Sequence, residues 1–246
     1  MPEVRELAEL VRSRQPCVVL TGAGISTESG IPDFRSPSGI WARYDPQEYA
    51  TVSAFRRDPV KVWEFYALRF ALVTRAEPNA GHRALDQLER RGFVQAVVTQ
   101  NIDGLHARAG SCDVTEVHGS IRTASCPRCR ERVPLAEVVA ALESAPAPPC
   151  PRCGVVLKPD VVMFGEVLPE HAIDRAFELA AGAALLLVVG SSLEVHPVAA
   201  LPEETLRSGG AVAIVSRGAT PYDGRATVRI EGGAGETLAA LERSLD

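Results

Sequence analysis

Four cysteines, Cys126, Cys129, Cys150 and Cys153, stand as two Cys-x-x-Cys pairs with 20 residues between them. Each pair, carried on a tight knuckle, can present two thiolates to one ion, and two pairs close a tetrahedral set with no position left for water. This is the spacing of a structural zinc site, one Zn2+ per chain. A redox pair is expected singly beside a βα unit, which the doubled pattern does not match. The other chemistry-bearing residues follow short apolar runs. TQNIDGLH at 99–106 follows the run 94–98, and His118-Gly119 follows 114–117. Polar side chains at the end of an apolar strand are where open α/β sheets bind ligands. A histidine there, with an ordinary pKa of about 6.5, suits a general base at neutral pH.

A third run, Val18-Val19-Leu20, leads into Gly22-Ala23-Gly24. Such a turn can bend sharply and approach a pyrophosphate closely. The dinucleotide fingerprint GxGxxG would continue into a helix, but here Gly30 and Pro32 oppose one. Residues 25–35 therefore read as a mostly irregular flap with Asp33, Phe34 and Arg35 on a loop beside the ligand.

The strings GAGIS, GIPDFR, TQNID and EVHG, in that order, resemble the signature of the sirtuins, the NAD-dependent protein deacylases. The resemblance covers about residues 18–241. It implies NAD bound by Gly22, Ala23, Gly24, Ser26, Asp33, Phe34, Arg35, Gln100, Asn101, Ile102, Asp103, His118, Gly190, Ser191, Ser192, Ser216 and Ala234. It implies His118 and Asn101 as catalytic residues: His118 as general base on a ribose hydroxyl, Asn101 with Asp103 positioning nicotinamide and ribose, and Phe34 shielding the reactive carbon. The partner implied is the acylated lysine of a protein, clamped as a strand between 164–167 and 192–195 against Val162, Phe164, Gly165, Glu194 and Val195. The acyl group would pass to ADP-ribose with release of nicotinamide. Two positions depart from the family pattern: Ser216 stands where asparagine is common, and Lys158 where arginine is.

Tyr66 and Arg69 lie three apart on an expected helix over 60–75, so they share a face. They are similar to the YxxR segment of the sirtuin subgroup that removes succinyl and malonyl groups, and Ala50 matches that subgroup's small pocket residue. The resemblance thus implies a deacetylase with desuccinylase and demalonylase activity. Two other readings stand beside it: an NAD-dependent protein mono-ADP-ribosyltransferase on the same fold, and a non-catalytic module whose zinc ribbon recruits partners.

The elements that must position these residues alternate strand and helix, which predicts a doubly wound α/β, Rossmann-like parallel sheet. The expected large domain takes 1–35, 79–122 and 157–246, interrupted by a small helical insertion at 36–78 and a zinc module at 123–156. In detail, 36–49 reads as an ordered loop, Asp58-Pro59 as a helix start, the zinc module as held mainly by its metal, and 158–166 as the return to the main sheet. Cys17 and Cys112 are expected to be buried as small apolar residues. No chemistry is assigned to His82, His106, His171 or His196.

The chain has 246 residues, 46% of them hydrophobic and 23% charged, with a net charge of −5. That balance argues against a nucleic-acid partner. The longest apolar run, 183–189, is far below the about 20 residues that span a bilayer, and the charged N-terminus has no signal-peptide pattern. A cytoplasmic protein without a membrane partner is expected.

Overall fold

The structure, a computed structural model, describes residues 2–245; Met1 and Asp246, outermost in the expected large domain, lie outside them. Helix α1 (Pro2–Ser13) leads into β1 (Cys17–Thr21). After the flap come α2 (Pro46–Tyr49), α3 (Val52–Arg57), α4 (Pro59–Arg75), α5 (Ala80–Arg90) and β2 (Ala96–Thr99). Then follow α6 (Leu105–Ala109), β3 (Val114–Glu116), β4 (Gly119–Ser125), β5 (Arg132–Pro134), α7 (Leu135–Leu142) and β6 (Lys158–Val161). The chain ends with α8 (Glu170–Gly182), β7 (Leu185–Val189), α9 (Leu201–Arg207), β8 (Ala211–Val215), β9 (Val228–Ile230) and α10 (Ala234–Ser244).

Six strands form a parallel sheet in the order β3-β2-β1-β7-β8-β9. The order reverses between β1 and β7, so their carboxyl ends frame the crevice in which open α/β sheets take ligands. Every residue of β1, β7 and β8 is buried, which is why these strands read as unbroken apolar runs instead of alternating ones. Cys17 and Val19 face a core with α1, α5 and α10, while Val18 and Leu20 face one with α8 and α9. No helix among the described residues is long and apolar enough to cross a membrane.

The second sheet is antiparallel, in the order β5-β4-β6. Lys158–Val161 therefore does not return to the main sheet: it pairs with β4, Gly119 opposite Val161. The positive φ of 74° at Gly119 turns the chain out of the large sheet there, a turn that only the structure reveals. The segment expected as a loop at 36–49 carries a short 3-10 turn, Ile40–Ala42, and α2. Both α2 and α3 are too short to display a period, yet each is capped: Asp45 accepts from the Gln47 amide and Thr51 from the Ala54 amide. Asp58 caps α4 as its sequence suggests, accepting from the Lys61 amide with Pro59 behind it.

The helical insertion and the cysteine segment share one apolar core. Trp63, Phe65, Tyr66 and Phe70 of α4 pack with Ile121, Ala124, Val133, Val138 and Leu157. The buried Trp63 indole donates to the Leu157 carbonyl at 2.7 Å, satisfying the one polar atom of a fully buried ring. The cysteine segment is thus not held by a metal site alone. Cys17 is buried as expected, but Cys112 is exposed because it lies on the short connection between α6 and β3.

Candidate active site

The glycines at the head of β1 serve a closer contact than a ligand. The Gly22 amide donates to Val189 O at 3.0 Å and the Gly24 amide to Gly190 O at 2.8 Å. A Cβ on Gly24 would stand 2.7 Å from Gly190 Cα, and one on Gly22 2.8 Å from Gly190 O. The turns after β1 and β7 are pressed backbone on backbone, and only glycine permits this. The following residues are less irregular than expected: Ala23–Ser29 forms a 3-10 helix closed by left-handed Gly30, and only then does the loop begin. Short hydrogen-bonded turns of this kind leave no apolar period to read.

Beneath this helix three polar side chains meet. Asn101 Nδ2 donates to Gly22 O and to Ser26 Oγ, both at 3.1 Å. Ser26 Oγ in turn donates to Asp103 Oδ2 at 2.8 Å. Asp103 Oδ1 also accepts from the amide of Leu105, the first residue of α6, at 2.9 Å, and burial raises its carboxyl above the usual range. Beside them Gln100 Nε2 donates to Ser191 Oγ at 2.8 Å, tying β2 to the β7 turn.

His118 lies half-buried at the end of β3, its Nδ1 3.1 Å from Gln100 O. A carbonyl can only accept, so Nδ1 carries the proton and the neutral ring keeps its lone pair on Nε2. Burial lowers the His118 pKa and the Gln100 contact partly opposes it, which keeps the ring neutral at pH 7 with its Nε2 lone pair free to accept a proton.

The other expected contacts are distributed around the crevice. Ser192 is half-buried, Ser216 is buried at the end of β8, and Ala234 is buried as the first residue of α10. Ile102 is half-buried and its carbonyl accepts from the Ile121 amide. Asp33 accepts from the Ser36 amide, and Phe34 rests on Trp41 at 5.2 Å between centroids. Arg35 pairs with Glu194 at 2.7 Å, joining the flap to the expected peptide wall. Across the crevice, the Val162 amide donates to His118 O, and Phe164 exchanges backbone hydrogen bonds with Ala50 and Val52. Phe164, Gly165 and Glu194 are exposed and Val195 half-buried, leaving this rim open.

Tyr66 meets the Phe65 ring edge-on at 5.2 Å, and Arg69 lies near both Phe65 and Phe34. The Arg69 guanidinium sits 4.0 Å from the Phe65 ring centroid and 5.2 Å from that of Phe34. Its Nη1 is buried without a hydrogen-bond partner, and no carboxylate among the described residues pairs with it. Burial lowers its pKa to about 10, so it remains a cation at neutral pH. The same burial raises Tyr66 to about 12, leaving a neutral phenol.

The four cysteine sulfurs lie within 4.8 Å of one another, with Cys126 and Cys153 at 3.4 Å and Cys129 and Cys150 at 3.5 Å. Zinc–sulfur bonds of about 2.3 Å in a tetrahedron put sulfurs about 3.8 Å apart, so a small expansion admits the ion. Four soft thiolates suit zinc.

Three polar residues near the site went unassigned in the sequence. Asn79 caps α5 and donates to Ile25 O (2.7 Å) and Ser29 Oγ (3.0 Å), holding the 3-10 helix from its far side; only its N-cap spacing to His82 signals it. His82 and His106 are buried, their rings 4.9 Å apart. Burial lowers their pKa values to about 4 and about 3, respectively. Because an unfolded histidine titrates near about 6.5, the unfolded chain binds more protons below that pH. Stability is full above it and falls as pH drops toward 4, by up to about 1.4 kcal/mol per pH unit for each ring. Denaturation midpoints should therefore decline from pH 6.5 to 4.5. His82→Phe and His106→Phe should each flatten that decline; an unchanged slope in both would refute the assignment.

A model of the Sir2 family matches residues 22–197. An NAD-dependent protein deacetylase of Caldivirga maquilingensis is 45% identical over 235 residues, 95% of this chain and 90% of that protein. Among solved structures, a Sir2 variant with deacetylated p53 peptide and 3′-O-acetyl ADP ribose superposes with a TM-score of 0.94 at 40% identity, covering 98% of this chain and 97% of that one. A Sir2–p53 peptide–NAD+ complex superposes with 0.90 at 39% identity, covering 97% and 96%.

Proposed function

The chain belongs to the Sir2 family, and from that premise we propose that it is an NAD-dependent protein-lysine deacylase that accepts succinyl and malonyl as well as acetyl groups. One observation carries the acidic-acyl part: the buried, unpartnered Nη1 of Arg69. Leaving such a donor unpaired costs about 1–3 kcal/mol, a cost that a terminal carboxylate of the acyl group removes. Arginine's planar fork can take that carboxylate in a bidentate grip, with the neutral Tyr66 phenol as a further donor.

NAD supplies an electrophilic ribose carbon with nicotinamide as leaving group. The tightly packed turns at Gly22, Gly24 and Gly190, with the hydroxyls of Ser191, Ser192 and Ser216 and the buried start of α10 at Ala234, suit its phosphates and adenosine ribose. Ser216 bonds through a shorter side chain than asparagine would. Asn101 and Asp103, locked together through Ser26, orient the nicotinamide side, and Phe34 keeps water from the reacting carbon. His118 takes a proton from a ribose hydroxyl through Nε2. The open rim formed by Phe164, Gly165, Glu194 and Val195 takes the substrate backbone as an added strand, which gives affinity with little sequence preference. The four cysteines hold one zinc, away from the reaction. The chain divides into a large domain at 1–35, 79–122 and 157–246 and two insertions, 36–78 and 123–156, which share one apolar core.

The test is nicotinamide release with acetyl-, succinyl- and malonyl-lysine peptides, with mass spectrometry of the products. O-acyl-ADP-ribose is expected. A hydrogen bond to a charged group contributes about 1.5–3 kcal/mol, so Arg69→Met should slow desuccinylation about 10–100-fold and spare deacetylation. Equal losses on both peptides would reduce Arg69 to a packing residue, and ADP-ribosylated protein as product would replace the deacylase reading.

A further inference from the structure

Two buried side-chain nitrogens near the crevice have no partner: His82 Nε2 and His106 Nδ1. Their protonation states follow from their neighbours. The Asn79 amide donates to His82 Nδ1 at 3.3 Å, so in the neutral ring the proton is on Nε2. Thr21 Oγ1 gives its one proton to Thr99 Oγ1 at 2.8 Å. His106 Nε2, 2.9 Å from Thr21 Oγ1, must then be the donor, which leaves a bare lone pair on Nδ1. One orphan is therefore a donor and the other an acceptor. The rings are 4.9 Å apart and tilted at 60°; the two nitrogens are not bonded to each other as placed, but at that separation a ring rotation brings them within hydrogen-bond reach.

We propose that His82 and His106 form an Nε2–H···Nδ1 pair that acts as a positioning device for Asn101, resting on the deacylase reading above for the step it serves. The pair completes a chain of hydrogen bonds that runs one way as far as Thr99 Oγ1, where it meets a bond donated from the other end. It runs from the Asn79 amide through His82, His106, Thr21 and Thr99, where Thr99 Oγ1 accepts from the Asn101 amide at 3.1 Å. Both ends of the chain also grip the 3-10 helix that follows the glycine turn. Asn79 holds it through Ile25 O and Ser29 Oγ, and Asn101 through Gly22 O and Ser26 Oγ. The histidines thus link the two asparagines that hold the flap from opposite sides. Neither touches the expected ligand: they act through Asn101.

The experiment replaces each ring by one of similar shape without hydrogen bonds, His82→Phe and His106→Phe, singly and together, and adds Thr21→Val, which cuts the next bond at nearly constant volume. The expected result is a fall in kcat of about 10–100-fold in each variant, since sub-ångström misplacement of a reacting group is costly, with KM for NAD within about threefold. The double histidine variant should fall no further than the worse single one, as members of one chain are not additive. An unchanged kcat per folded molecule, independent and multiplicative losses, or a neutral Thr21→Val would overturn the proposal. A wild type that releases no nicotinamide would defeat the deacylase reading instead. Imidazole nitrogen NMR of the ligand-free wild type then decides the pair itself. Two neutral Nε2–H rings, with the His106 Nδ1 resonance moved by His82→Phe, support it; any other tautomer, or an unmoved resonance, overturns it.

Discussion

His118→Ala is expected to lower turnover by about 10²–10⁴-fold while leaving affinity for NAD and peptide nearly unchanged, because loss of a positioned base removes a proton transfer and not a binding contact. The Gln100 carbonyl fixes the Nε2 lone pair as the reactive one, so His118→Gln, whose amide cannot take a proton, should be as slow as the alanine variant. Burial lowers the His118 pKa. The acid limb of kcat/KM for the wild type should consequently lie below about pH 6.5, with full activity above it. Retained turnover in His118→Ala, or an acid limb above that value, would remove His118 from the mechanism.

Cys126→Ser and Cys150→Ser should have the largest effect on stability. Structural zinc sites supply about 10–16 kcal/mol of apparent binding energy at neutral pH, more than most domains have in net stability. Each serine should abolish the one zinc per chain and melt the cysteine knuckles. Because Cys126 and Cys150 share a core with Trp63, Phe65 and Phe70, the loss should spread to α4, seen as a lower melting temperature and early hydrogen exchange there. The large sheet, with its own cores on both faces, should hold out longer. Purified wild type that contains no zinc yet keeps its fold would refute the metal assignment.

What the sequence made legible were features with a strong local signal. Unbroken apolar runs announced β1 and β7, Asp58-Pro59 announced α4, and the doubled Cys-x-x-Cys spacing announced a four-sulfur cluster. What it concealed depended on long-range partners. Lys158–Val161 has the composition of any short strand, and its sheet is decided by Gly119, about 40 residues earlier. The reason for Gly22 and Gly24 lies at Gly190, beyond both insertions and on another strand, and no local rule connects them. Likewise a histidine such as His106 reads as an ordinary helical residue until its ring is seen against Thr21 and His82.

The helix that carries Tyr66 and Arg69 is also the helix whose Trp63 indole is bonded to the Leu157 carbonyl, just beyond the last of the four cysteines, Cys153. One face of α4 is thereby fastened to the cysteine lobe, while Tyr66 and Arg69 are the residues we assign to the acyl group. A disturbance of the cysteine lobe is therefore passed to the helix that carries Arg69, through the Trp63–Leu157 bond and the shared apolar core. On the acyl reading proposed above, partial chelation should therefore erode desuccinylation before deacetylation.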